Sequence, residues 1–151
     1  MGTPEMDDPH GPREAPRGGS VSLGTVLIVD DVPTSSAALE EACSAVPGVS
    51  VLSVTSALYA VRILRDSDQP ICAVVTDIRM PGMDGFELIR FLRADRRHAA
   101  TPIIVVTADT DPETPERASS LGADAFFSKP FSPAAIRRRL GELLDGTRLS
   151  R

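Results

Sequence analysis

The stretch ICAVVTDIRMPGMDGFELI, residues 71–89, decides how the chain is read. An apolar run rich in β-branched residues (Ile71, Val74, Val75) stops at Asp77. Pro81-Gly82 and Gly85 follow within eight residues, and an amphipathic segment then begins. A continuous apolar run of this length suits a strand buried on both faces. Turn residues directly after it suit a loop that carries a carboxylate at the strand's mouth.

The same alternation extends in both directions. Upstream, VLIVD (26–30) reads as a strand and PTSSAALEEACSAV (33–46) as a helix opened by Pro33 and stopped by Pro47-Gly48. VSVLSV (49–54) reads as a second strand. SALYAVRILRDSD (56–68) reads as a helix with Leu58, Val61, Leu64 and Arg65 at helical spacing after a capping Ser56. The third strand, 71–76, is followed by a helix over 85–95 with Leu88, Ile89 and Leu92 on one face. Downstream come strand 102–107, a poorly amphipathic helix 115–123 stopping at Gly122, strand 125–128 and helix 132–144. Ser132 caps the last helix, Pro133 opens it, and Ile136, Leu140, Leu143 and Leu144 face inward. Five strands alternating with five helices predict an α/β fold with a parallel sheet covered on both faces.

In such sheets, sites form at the carboxyl ends of the strands. Here those ends carry Asp30-Asp31, Asp77, Thr107 and Lys129-Pro130. A carboxylate after a strand is often only a helix cap, the competing reading for Asp31 alone. Together the set has a chemical rationale. Clustered carboxylates repel one another, and a hard divalent cation such as Mg²⁺ relieves this while keeping open positions. A carboxylate can also act as a nucleophile toward phosphorus. The phosphoryl group then needs a cation and a hydrogen-bond donor, roles that Lys129 and Thr107 suit. Lys129 is the only lysine, the other 15 of the 16 basic residues being arginine, and its compact ammonium suits a single phosphoryl oxygen.

Composition narrows the class. A chain of 151 residues suggests one domain. Hydrophobic residues make up 42% and charged residues 25%, ordinary for a globular protein. The net charge of −5 disfavours a nucleic-acid-coating surface, and no apolar run reaches the length of a membrane span. A cytoplasmic location is the expectation. Residues 1–24, rich in Pro and Gly, read as a flexible tail, 25–145 as the domain, and 146–151 as a short C-terminal tail. Cys43 and Cys72 read as small buried hydrophobes, and His10 and His98 as solvated. Arg137-Arg138-Arg139 reads as a solvated helix face.

The motifs VLIVDD, VVTDIRMPGMDGFEL, PIIVVTA and GADAFFSKPF, in this order, resemble the receiver domain of two-component response regulators. The resemblance implies a (βα)5, doubly wound, flavodoxin-like (CheY-like) fold with strand order 2-1-3-4-5. It implies that Asp77 accepts a phosphoryl group from a histidine kinase or a histidine phosphotransfer protein. Mg²⁺ would be held by Asp30, Asp31, Asp77 and the backbone carbonyl of Arg79. Lys129 would pair with the phosphoryl group, Thr107 would swing its hydroxyl toward it, and Phe126 would be the aromatic switch. Pro130 would follow a cis peptide bond. Arg79 and Asp109 would flank the entrance used by attacking water, as an exposed ion pair that alters phosphate lifetime. Phe126 and Phe127 point to opposite sheet faces, so one is core and the other is free to switch.

Such a domain would be a single-domain regulator, not an enzyme, acting on a downstream protein. It would be a monomer or a weak dimer through the fourth helix, fifth strand and fifth helix. Two other readings stand beside it. One is a phosphorylation-independent adaptor. The other is an aspartyl-phosphate phosphatase of the haloacid dehalogenase kind, which places its acids at i and i+2 where this chain has Asp30-Asp31-Val32. No Gly-rich phosphate loop follows the first strand.

Overall fold

In a computed structural model, residues 22–150 are described. The elements are β1 (Gly24–Val29), α1 (Pro33–Ser44), β2 (Val49–Val54), α2 (Ala57–Asp66), β3 (Ile71–Thr76), α3 (Gly85–Ala94), β4 (Ile103–Thr107), α4 (Thr114–Leu121), β5 (Ala125–Ser128) and α5 (Pro133–Ser150). All strand pairs are parallel, in the order β2-β1-β3-β4-β5. This is the predicted flavodoxin-like arrangement.

The alternation of side chains along each strand divides the core in two. Leu27, Val29, Val74, Ile103 and Val105 face α2, α3 and α4, meeting Leu64, Leu88, Leu92 and Ala118. Val26, Ile28, Val75, Ile104 and Val106 face α1 and α5, meeting Leu39, Cys43, Ile136 and Leu140. The central strands β1, β3 and β4 are thus buried on both sides, which is why their sequences are apolar without alternation.

Local chemistry sets the helix ends. Ser56 accepts the N–H of Tyr59 at the start of α2, as its position suggests. Asp84 and Glu87 form a reciprocal capping box that starts α3 immediately after the Asp77 loop. Gly122 ends α4 with φ of 119°, a left-handed position that favours glycine. Its carbonyl accepts two bonds from Arg93 of α3 (2.8 and 3.1 Å), whose guanidinium also reaches the carbonyls of Ala99 and Thr101 and pairs with Asp124. Arg93 therefore buckles the ends of α3 and α4 to the starts of β4 and β5.

Several expectations need correction. Leu58 is 61% exposed: in α2 the inward stripe runs through Ala57, Ala60, Val61 and Leu64, and Leu58 and Tyr59 face out. His98 is 4% exposed, because the loop after α3 folds back and sets its Nδ1 3.0 Å from Asp95. That hydrogen bond, followed by one from the N–H of Arg97, holds the Asp95 carboxyl below its usual range. α5 runs to Ser150, so residues 146–150, expected as tail, continue the helix. At the other end β1 starts at Gly24, and the Leu23 N–H already bonds the Gly48 carbonyl. His10 and the rest of the tail before residue 22 lie outside the described residues.

Cys43 is buried and Cys72 half-buried, both free. Burial pushes the Cys43 thiol up to about 12 and the Cys72 thiol up to about 11, so both are protonated at neutral pH. No described helix is long and apolar enough to cross a membrane.

Candidate functional site

Asp30, Asp77 and Lys129 each lie one residue beyond their strands, Thr107 is the last residue of β4, and the sheet's own hydrogen bonding carries the first three into place. The Asp30 N–H bonds the Val54 carbonyl of β2 (3.1 Å), and the Asp77 N–H bonds the Val29 carbonyl of β1 (3.0 Å). The Lys129 N–H bonds the Thr107 carbonyl of β4 (2.9 Å). These rungs extend the parallel ladder past the strand ends and fix the backbones from which the side chains project. The Lys129–Pro130 peptide bond is cis.

The side chains then converge. Lys129 Nζ donates to Asp77 Oδ2 (2.8 Å) and to Asp30 Oδ2 (3.0 Å), joining β5 to β3 and β1 in one ion-paired cluster. Asp30 is fully buried, and Asp77 is 5% exposed. Burial of the amine opposes its charge, but the two carboxylates outweigh it and hold the Lys129 pKa above its ordinary value. Asp30 Oδ1 accepts from the Val32 N–H and its Oδ2 also from the Ser35 hydroxyl (2.8 Å). Asp77 Oδ1 accepts from the N–H groups of Ile78 (2.6 Å) and Arg79 (3.4 Å).

Asp30, Asp31 and Asp77 each bring a carboxylate oxygen within 4.8 Å of the others, and Asp31 is the most open of the three. The Asp31 carboxylate has no hydrogen-bond partner among the described residues, and α1 is capped at Val32 without a side-chain bond. A helix-capping role does not account for it. One lysine against three carboxylates leaves net negative charge in a mostly desolvated pocket. That donor set fits a hard divalent cation bound through oxygen.

Asp77, Thr107, Lys129, Arg79 and Asp109 all line one cleft of about 720 Å³. Thr107 is 1% exposed, and its Oγ1 accepts the Asp109 N–H (3.2 Å). Arg79 and Asp109 do form an ion pair (2.8 Å), with the arginine 55% and the aspartate 11% exposed, so one partner is much less open than the sequence suggests. The Asp111 N–H, the Thr114 hydroxyl and Arg79 together hold the Asp109 carboxyl below its usual range. Phe126 packs with the α2–α4 side of the sheet and Phe127 with the α1–α5 side, and both are half-buried.

Response regulator receiver domain is the family whose pattern matches this chain, over residues 26–141. The chain belongs to this family. Receiver domains are signalling modules of two-component systems whose general role is to accept a phosphoryl group, typically at an acidic site that binds Mg²⁺. Among curated relatives, the chain is 28% identical over 120 residues to the chemotaxis protein CheY-3 of Vibrio cholerae, covering 80% of this chain and 91% of that one. Among solved structures, the receiver domain of a signal transduction histidine kinase from Syntrophus aciditrophicus is 30% identical, with a TM-score of 0.74. The match covers 83% of this chain and 92% of the other. The receiver domain of a sensor histidine kinase from Pseudomonas aeruginosa, solved with magnesium coordinated in its active-site cleft, is 27% identical, with a TM-score of 0.70. That match covers 81% of this chain and 98% of the other.

Some parts of this receiver site escaped the sequence. Ser35 holds Asp30 from the first turn of α1, and Thr114 holds Asp109 from the first turn of α4 (2.8 Å). Nothing in local pattern marks either hydroxyl. The capping box at Asp84–Glu87 did carry a signal, the D-x-x-E spacing before an apolar run.

Proposed function

We propose that this receiver domain accepts a phosphoryl group on Asp77 from a phosphorylated histidine of a kinase or phosphotransfer protein. The observation that carries this is the Lys129 ammonium, the chain's single lysine, seated between Asp77 and Asp30. The Asp77 carboxylate attacks phosphorus, the phosphorus–nitrogen bond breaks, and the electron pair leaves with the histidine nitrogen. Backbone N–H groups of Ile78 and Arg79 orient the nucleophile through Oδ1. Lys129 pairs with a phosphoryl oxygen as charge builds there, and the Thr107 hydroxyl, released from the Asp109 N–H, donates to another.

Asp30, Asp31, Asp77 and the Arg79 carbonyl are the proposed ligands of Mg²⁺, which when bound neutralises charge on the phosphoryl oxygens. Thr107 turning inward vacates space that Phe126 follows, which is how the modification is passed to the surface. The output is a protein partner that reads the changed surface, in keeping with a cytoplasmic signalling protein. That surface, or the contact with a second copy in a weak dimer, is the face of α4, β5 and α5, where β5 is one of the sheet's two edge strands.

The test uses acetyl phosphate and Mg²⁺, followed by separation on a phosphate-affinity gel. A shifted species is expected from the wild type, absent when Asp77→Asn is used or a chelator is added. A shift that persists in Asp77→Asn would rule the assignment out.

The Arg79–Asp109 pair closes one side of the cleft over Asp77. Removing either side chain is expected to admit water and shorten the phosphorylated state, on the order of threefold. Decay rates of Arg79→Ala and Asp109→Ala equal to wild type would show that the pair is only a surface contact, as exposed pairs often are.

A further inference from the structure

Asp109 is the junction of the whole region. Its N–H bonds the Thr107 hydroxyl (3.2 Å), and its Oδ1 accepts from the Asp111 N–H (3.0 Å). Its Oδ2 accepts both from Arg79 (Nε 2.9 Å) and from the Thr114 hydroxyl (2.8 Å). Thr114 is 2% exposed and opens α4. A second contact from the same helix converges on Arg79 by another route. Arg117, one turn beyond Thr114, places its guanidinium 3.9 Å from the centre of the Phe86 ring, and Arg79 lies 5.8 Å from the same ring. Arg79 is therefore bounded by Asp109, which α4 holds through Thr114, and by Phe86, which α4 covers through Arg117.

We propose that Thr114 is a positioning residue for the phosphoryl site: it fixes the Asp109 carboxylate so that Arg79 stays over the cleft, and phosphate lifetime thereby reports the state of the first turn of α4. This rests on the reading of Asp77 as phosphoacceptor. The physical basis is geometric. A single carboxylate oxygen holds both donors, so without the Thr114 hydroxyl only the Asp111 N–H, through Oδ1, still restrains the carboxylate beside Arg79. Linkage makes the relation reciprocal: a protein that engages the first turn of α4 and draws Thr114 from Asp109 changes the chemistry at Asp77, although it touches neither Asp77 nor its ligands. Arg93 holds the C-terminal end of α4 at Gly122, whereas the first turn buries only Thr114, so movement is easiest at that turn.

The experiment measures decay of phosphorylated wild type, Thr114→Val, Thr114→Ser, Arg79→Ala and the Arg79→Ala/Thr114→Val double variant, each charged with acetyl phosphate and Mg²⁺ and then freed of donor. Thr114→Val is expected to shorten the lifetime on the order of threefold, the scale of one lost hydrogen bond. Thr114→Ser should restore it, and Thr114→Val should have no further effect once Arg79 is gone. A loss that Ser does not rescue, or that adds fully to Arg79→Ala, overturns the proposal by showing that Thr114 acts only through the stability of the fold. Unchanged decay in Thr114→Val overturns it directly and leaves Asp77 as phosphoacceptor intact. No phosphorylation of the wild type overturns the reading of Asp77 and this proposal with it.

Discussion

Replacing Lys129 by Met is expected to cut the rate of phosphoryl transfer to Asp77 by about a hundredfold, the scale of losing one preorganised charge contact in a desolvated site. The same substitution should make the protein bind Mg²⁺ more tightly, because the ammonium and the metal compete for the negative potential of Asp30 and Asp77. Without metal, the variant leaves two buried carboxylates, with side chains 0% and 7% exposed, and no cation between them. That is expected to cost about 3 kcal/mol of folding stability, recovered in part by added Mg²⁺. Thermal unfolding with and without Mg²⁺ separates the two effects.

The pH dependence follows from the sign of the Lys129 shift. The folded protein holds this amine above its ordinary pKa, the burial penalty being outweighed by Asp77 and Asp30. A group raised on folding contributes stability that is present below its unfolded pKa and is lost as pH rises through its folded one. The metal-free wild type should therefore lose this contribution only in strongly alkaline solution, and Lys129→Met should lack that alkaline component. An identical alkaline loss in both proteins would contradict the ion-paired cluster.

Gly85→Ala is the second large effect. A Cβ built at Gly85 runs into the carbonyl oxygen of Asp77 and lies 2.8 Å from Ile78 Cα, both of them backbone. Flexible side chains could yield, but here the start of α3 or the Asp77 loop itself must move. The expected cost is about 3 kcal/mol, at the upper end of overpacking effects, with slower phosphorylation even where the variant remains folded. Gly141→Ala in α5 is the control, since nothing lies within 4 Å of its added Cβ. It should be neutral or stabilise by about 0.5–1 kcal/mol through helix propensity. Chemical denaturation of the two variants measures the difference. Similar stabilities would mean that Gly85 does not owe its identity to close packing.

The close packing at Gly85 adds a second role for the turn residues of the stretch 71–89. Turn residues after β3 do more than expose Asp77. Gly85 lets α3 start directly against the Asp77–Ile78 backbone, to which its own N–H bonds through the Ile78 carbonyl (2.8 Å). The strands and the convergence of Asp30, Asp77, Thr107 and Lys129 were legible because they depend on apolar runs and on what directly follows them, whereas the strand order came from the resemblance of the motifs to receiver domains. Leu58 was misread because helical spacing admits two neighbouring stripes, and Ala57 and Ala60 were small enough to be passed over as the inward one. His98 was misread because its burial depends on a loop closing onto Asp95. Arg93, Ser35 and Thr114 were illegible for a common reason. Each acts across a gap between elements, on a carbonyl or carboxylate that only the folded chain brings near.

The central claim is that Asp77 carries the phosphoryl group. The most direct measurement charges the wild-type protein with acetyl phosphate and Mg²⁺, reduces the product with borohydride, and maps the peptides by mass spectrometry. Reduction converts an aspartyl phosphate to homoserine and so marks its position permanently. Homoserine at position 77, lost when Mg²⁺ is chelated, is the predicted result. Homoserine at another aspartate, or at none, would contradict the account.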